Sequence, residues 1–263
     1  MTLIDVFVVF LILNAVAIAA ITDEDSRSTT FRGVSLPSVI DAKDLYQAYQ
    51  DIQEEYHSKL QGEDNEWKIL NNRQGVEVSL LQHPADPTCP YVKMTAIMPA
   101  SPQECWDFLQ LDQWETTMPL MDPFYEGVDT YGDYFFEGMN MTVARKRTKR
   151  ILGILGKRDF VFVSVGHKGE NEVFMSGTIS VVTKSIPRQR DYTRAFQDSI
   201  AFYRPHDKNQ THLTIICRLD LNDSHGDGGY MPMWLYVKTI GTTASRSILN
   251  LRRELQRLSE TKM

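Results

Sequence analysis

The C-terminal stretch from Gly229 to Leu258 constrains the fold more than any other part of the chain. Pro232 can occupy the first turn of a helix without losing a hydrogen bond, and after it Trp234, Val237, Gly241, Ala244, Ile248, Leu251, Leu255 and Leu258 recur in alternating steps of three and four. That spacing predicts one long amphipathic helix whose inner stripe the rest of the molecule must cover. The middle of the stripe is unusual: where a helix packed for stability alone carries Leu or Ile, this one has Gly241 and Ala244. A glycine in a helix interior costs roughly 1 kcal/mol relative to alanine. Two explanations are open, close packing of the helix on a sheet or space kept for something other than side chains.

The material available to cover the stripe is strand. Period-two alternation runs through Trp67–Leu70, Val76–Leu81 and Tyr91–Met98, then after a break through Phe124–Asp129, Tyr134–Arg145, Phe160–His167, Val173–Lys184, Phe196–Tyr203 and Leu213–Leu221. A helix starting near Pro37 or Ser38 precedes them, with Ala42, Leu45, Tyr49, Ile52, Tyr56 and Leu60 on one face and a stop at Gly62. A short helix from Gln103 to Leu111 follows the Pro99–Pro102 break. Helix, three strands, helix, six strands and long helix describe an α+β domain in which a strongly curved antiparallel sheet wraps the last helix.

Upstream lies an apolar block, Val6–Leu13, then Asn14 and the small-residue run Ala15–Ala20. Residues 1–20 read as a secretory signal cleaved near Ala19 or Ala20. The alternative is an uncleaved anchor, because no Lys or Arg leads the segment and Leu3–Ile21 approaches the roughly 20 residues that span a bilayer. Either way the chain is expected in the secretory pathway, luminal or secreted, or membrane-anchored by residues 3–21. Residues 21–36 are polar, acidic and without period, a linker, and the domain proper covers 37–260. Of three Asn-x-Ser/Thr triplets, those at Asn209 and Asn222 lie in polar turn sequence and are the expected glycan acceptors; Asn140 falls inside a strand.

A net charge of -6 argues against nucleic acid as a partner. Cys89, Cys105 and Cys217 are too few and too far apart for a disulfide scaffold or a structural zinc site and read as core residues. His57, His83, His167, His206, His212 and His225 show no His-x-x-x-His spacing, and neither a Gly-x-Ser-x-Gly elbow nor a phosphate-binding glycine loop occurs, so no catalytic residue, metal or cofactor is assigned. Cys217 and His212 would point to opposite faces of one strand, which rules them out as a dyad. Between two strands, seven basic residues from Arg145 to Arg158 surround Ile151-Leu152 and Ile154-Leu155. That composition suits docking on an anionic membrane, with Lys149, Arg150 and Lys157 attracting and Ile151, Leu152, Ile154 and Leu155 inserting. It is equally the composition of a solvated strand edge whose aliphatics tuck into the core.

Three features resemble the START domain, the steroidogenic-acute-regulatory-protein-related lipid-transfer family: Lys157-Arg158-Asp159-Phe160-Val161 heading a strand, Gly229-Tyr-Met-Pro232-Met-Trp234-Leu235 opening the last helix, and a first strand bearing Glu66-Trp67-Lys68 paired with one bearing Val92-Lys-Met. The resemblance spans about Pro37 to Leu258 and implies a helix-grip fold enclosing a hydrophobic tunnel for one lipid, a phospholipid, sterol or related molecule. On that basis Trp234, Val237, Gly241, Ala244 and Ile248 of the helix and Phe160 of the strand are expected to line the tunnel. Some sterol-binding members resemble one another in a tunnel arginine a few residues after Arg-Asp-Phe. Here that stretch reads Val161-Phe-Val-Ser164-Val165-Gly166, which leaves Ser164 or Arg194 to orient a headgroup. The expected activity is lipid binding and transfer between membranes by a monomer. An enzyme acting on an acyl substrate in the same cavity and a membrane-anchored lipid sensor are the alternatives.

Overall fold

The computed structural model describes residues 33–62, 67–86, 89–151, 155–169, 171–222 and 233–261. The elements are β1 (Val34–Ser35), α1 (Ala42–Gln61), β2 (Lys68–Arg73), β3 (Val76–Leu81), β4 (Tyr91–Met98), α2 (Pro102–Phe108), α3 (Trp114–Met121), β5 (Tyr125–Phe136), β6 (Met139–Thr148), β7 (Arg158–Lys168), β8 (Phe174–Val182), β9 (Thr193–Pro205), β10 (Thr211–Asp220) and α4 (Met233–Thr261). The sheet runs β2-β3-β4-β10-β9-β8-β7-β6-β5, antiparallel throughout this path. At one end β7 also pairs in parallel with β9, Phe160 opposite Ala195, and β8 takes up β1 there, Val34 opposite Val181. Residues 34 and 35 are therefore strand, in a segment expected to be a linker, and the Thr183 hydroxyl donates to Pro37 O at 2.9 Å behind them.

Local chemistry sets the boundaries. Helix α1 begins later than expected because Asp41 caps it, accepting from Lys43 N at 2.7 Å. Helix α2 carries a full capping box, with Ser101 and Glu104 each bonded to the other's backbone N–H and Pro102 in the first turn. The β5–β6 boundary differs from expectation. The expected strands leave a gap between Asp129 and Tyr134, but β5 runs through it with a register shift between Thr130 and Gly132 and turns instead at Glu137-Gly138, where both φ are positive.

The two faces of the sheet are used differently. The outer face carries α1: Leu45 and Tyr49 pack on Val143, Val163, Val165 and Val181, and Tyr56 packs on Ile200, Phe202 and Ile216. Tyr49 crosses directly over Gly177, where a Cβ would sit 2.9 Å from its ring. The helix is a buttress. The inner face meets α2, α3 and α4 through two separate apolar clusters, one around Phe174, Leu213, Leu251 and Leu255 and one around Phe160, Phe162, Leu221 and Leu235.

Candidate functional site

Between those two inner clusters the interior is hollow. A cavity of about 350 Å³ lies under the 29-residue helix α4, within the range that encloses one drug-sized molecule. Its roof is the face of α4 bearing Tyr236, Ile240, Ala244 and Ile248, and one side is closed by Trp114, Met118 and Met121 of α3. The floor comes from inward-pointing residues of six strands, including Met94, Phe160, Ile215 and Leu219. Helix α3 is tied to the roof by side chains of α4 reaching its main chain: Ser247 Oγ donates to Met121 O at 2.6 Å and Asn250 Nδ2 to Leu120 O at 2.9 Å.

The wall is not uniformly greasy. Lys146 on β6, 8% exposed, points its Nζ to Asp122 Oδ2 at 3.2 Å and lies over the Phe160 ring, 5.3 Å from its centroid. Asp122 also accepts from Phe124 N at 2.9 Å, which fixes its carboxylate at the C-terminus of α3. Farther along the strands, Ser164, Thr178 and Ser199 stand side by side on β7, β8 and β9, and Thr178 and Ser199 share a 2.7 Å hydrogen bond. Ser176 and Tyr203 form a second hydroxyl pair at 3.0 Å, and Gln197 also reaches the wall.

Of the residues singled out in the sequence, Phe160, Ser164, Ala244 and Ile248 stand on this wall. Trp234 lies in α4, but its side chain falls outside the described residues, and Val237 packs into the apolar cluster around Leu235 and Tyr236 instead of facing the cavity. Gly241 corrects the tunnel expectation: a Cβ there would meet Leu70 Cβ at 3.5 Å, an ordinary van der Waals contact, so this position faces β2 and not the hollow. Of the two small residues, Ala244 alone lines the hollow. Arg194 is a second correction, since it grips buried Asp159 through two hydrogen bonds of 3.1 and 3.0 Å and does not reach the cavity.

The Arg-Asp-Phe run thereby divides its labour. Arg158, fully buried, donates to Leu221 O at 2.6 Å and Gly156 O at 3.0 Å; Asp159 joins β7 to β9 through Arg194; Phe160 supplies the wall. The basic segment is largely neutralised in the same way. Arg145 pairs with Asp159, Lys146 with Asp122, Arg147 with Asp129 and Lys157 with Glu126, leaving Lys149 and Arg150 exposed and without such a partner among the described residues. Ile151 and Leu155 are buried, 8% and 1% exposed, and bridge each other by two 3.1 Å backbone bonds, so they close the interior and are not presented for membrane insertion. Leu152 and Ile154 lie outside the described residues.

Asn209 is exposed at the β9–β10 turn. Asn222 instead donates its amide nitrogen to Arg194 O at 2.9 Å, a bond that a glycan on that nitrogen would have to break. All three cysteines are free thiols. Cys217 reaches the cavity, and burial pushes its thiol up to about 12, far from thiolate at neutral pH; His212 is absent from that wall. Among the described residues no cluster of His, Cys, Asp or Glu could hold a metal, and no helix is long and apolar enough to cross a membrane.

No family model and no curated protein matches the sequence. Solved structures match the fold over most of the chain. Human StAR-related lipid transfer protein 5 aligns with a TM-score of 0.71 and 18% identity, covering 83% of this chain and 100% of that one. Human STARD10 aligns at 0.65 and 17%, covering 85% and 83%. The human StarD13 (DLC2) lipid transfer and protein localization domain aligns at 0.60 and 17%, covering 79% and 95%. What is shared at such identity is the architecture, the α+β helix-grip fold of START domains.

Proposed function

We propose that this START-fold chain binds one lipid in the cavity under α4 and carries it between membranes. The observation that supports this most is the hollow itself: a folded chain with a well-packed outer face leaves about 350 Å³ unfilled between sheet and helix, lined mostly by apolar side chains. The names of the matching structures point the same way, lipid transfer being what two of them state. Native mass spectrometry of the purified chain, followed by lipid extraction, is the test, together with transfer of a labelled lipid between vesicles. A 1:1 lipid adduct and transfer above the spontaneous rate are expected; absence of both would sink the reading.

Three further readings belong to the proposal. The chain meets anionic membranes through Lys149 and Arg150 near the end of the cavity closed by Ile151. It acts as a monomer without a catalytic step, the wall thiol being protonated at neutral pH. Residues 1–20 direct it into the secretory pathway, with glycosylation at Asn209; N-terminal sequencing of the mature protein separates a cleaved signal from an anchor at residues 3–21.

A further inference from the structure

Two stations stand out among the polar groups of the cavity. Lys146 and Asp122 form one, on the level of Phe160, which pairs with Lys146 across β6 and β7. The hydroxyls of Ser164, Thr178 and Ser199 form the other, in register across β7, β8 and β9. Phe160 and Ser164 are four residues apart on one strand, so the backbones at the two stations are about 13 Å apart. Leu219 lies one step along β10 from the level of the hydroxyl row, opposite Gln197 of β9, which also lines the cavity.

Each station has hydrogen-bonding capacity that the protein leaves unspent. An ammonium has three donors, and Asp122 is the one anion bonded to Lys146 Nζ among the described residues. In the second station Thr178 and Ser199 satisfy one donor between them, which leaves the other O–H and several lone pairs, while Ser164 makes no side-chain bond to a described residue. The first station is also neutral as a pair. A ligand anion there would face the Asp122 carboxylate and a ligand cation the Lys146 ammonium, whereas a hydroxyl can accept from one and donate to the other.

We infer that the ligand is a compact, uncharged amphiphile polar at both ends, one hydroxyl-type group bonded between Lys146 and Asp122 and a second at the Ser164–Thr178–Ser199 row. This deepens the lipid-binding reading and rests on it. A volume of about 350 Å³, at the low end of ligand cavities, favours one chain or one ring system over a two-chain phospholipid.

The test is calorimetric titration of the delipidated full chain with straight-chain α,ω-diols of increasing length, with the matching 1-alcohols and with the matching fatty-acid anions. Diol affinity is expected to pass through a maximum at the length that spans the stations and there to exceed the 1-alcohol by about fivefold or more, the worth of one added hydrogen bond. Ser164→Ala with Thr178→Val, whose melting temperature reports folding, is expected to abolish that advantage, the diol then binding no tighter than the 1-alcohol of the same length. Should that variant not fold, the native chain's diol-to-alcohol ratio decides by itself. Equal affinity for diol and 1-alcohol at every length, or preference for the fatty-acid anion, overturns this inference while lipid binding stands. Binding of no member of any series, with no lipid on the isolated protein, overturns the lipid-binding reading instead.

Discussion

Gly241 and Ala244 are three residues apart on one helix and serve opposite ends, which makes them a matched pair for substitution. Gly241→Leu is expected to destabilise by about 1–3 kcal/mol, because its Cβ alone would already be in contact with the Leu70 side chain and the branches beyond it must displace that side chain. Ala244→Leu instead grows into the cavity and is expected to lower lipid affinity with little change in melting temperature. Equal effects of the two on binding and stability would contradict this division. Asp198 gives a residue-scale prediction of another kind. It is 2% exposed on the outer face, accepts from Ser180 N at 2.6 Å and is pushed up to about 7, chiefly by burial, with Glu55 adding to the shift and Arg218 opposing it. A carboxyl that holds its proton more tightly folded than unfolded loses stability as pH rises from its ordinary range toward 7, since the unfolded chain releases the proton first. Thermal melts are therefore expected to fall between about pH 4 and pH 7, the two pKa values that bound the loss, and Asp198→Asn, which keeps an acceptor for Ser180, is expected to flatten the fall.

At the scale of elements, α3 is the one that closes a side of the cavity. Its described ties to α4 are the Ser247 and Asn250 bonds, and its C-terminus is held by Lys146 through Asp122. Ser247→Ala with Asn250→Ala removes about 0.5–1.5 kcal/mol per bond. Stopped-flow release of a fluorescent lipid is expected to accelerate several-fold, with secondary structure unchanged by circular dichroism. The elements were also where the sequence was most readable. Alternation located the nine strands of the long sheet path, and the caps at Asp41 and Ser101 and the stop at Gly62 explain where the first helices begin and end. The cavity face of α4 was less legible for a physical reason. Thr239, Thr243 and Ser247 line the hollow, yet in a sequence small polar residues on a helix read as its solvent side. Lys146 was hidden likewise, because one lysine in a run of basic residues gives no sign that the sheet turns it inward. Gly241 was visible as an anomaly, but only the position of Leu70 decides between its two explanations.

For the molecule as a whole, the junction of β7 with β9 holds the cavity's walls together. Asp159 has no exposure and joins Arg194 and Arg145 there. Asp159→Ala leaves two guanidinium groups without their buried anion and is expected to cost about 3–5 kcal/mol in chemical denaturation. A loss within measurement error would show that solvent replaces the pair. Membrane contact is the other whole-molecule property, and with most of the basic segment already paired it falls to two residues. Lys149→Glu with Arg150→Glu is expected to weaken co-sedimentation with anionic vesicles by at least about 1 kcal/mol per side chain at low salt and to leave neutral vesicles unaffected.

The fastening of α3 has one more consequence. Ser247 and Asn250 hold it by main-chain carbonyls, which every residue type supplies alike. Trp114, Met118 and Met121 can therefore be exchanged without undoing the latch, so the shape of the cavity and the attachment of the helix that closes its side can diverge independently between relatives of this chain or be re-engineered one at a time.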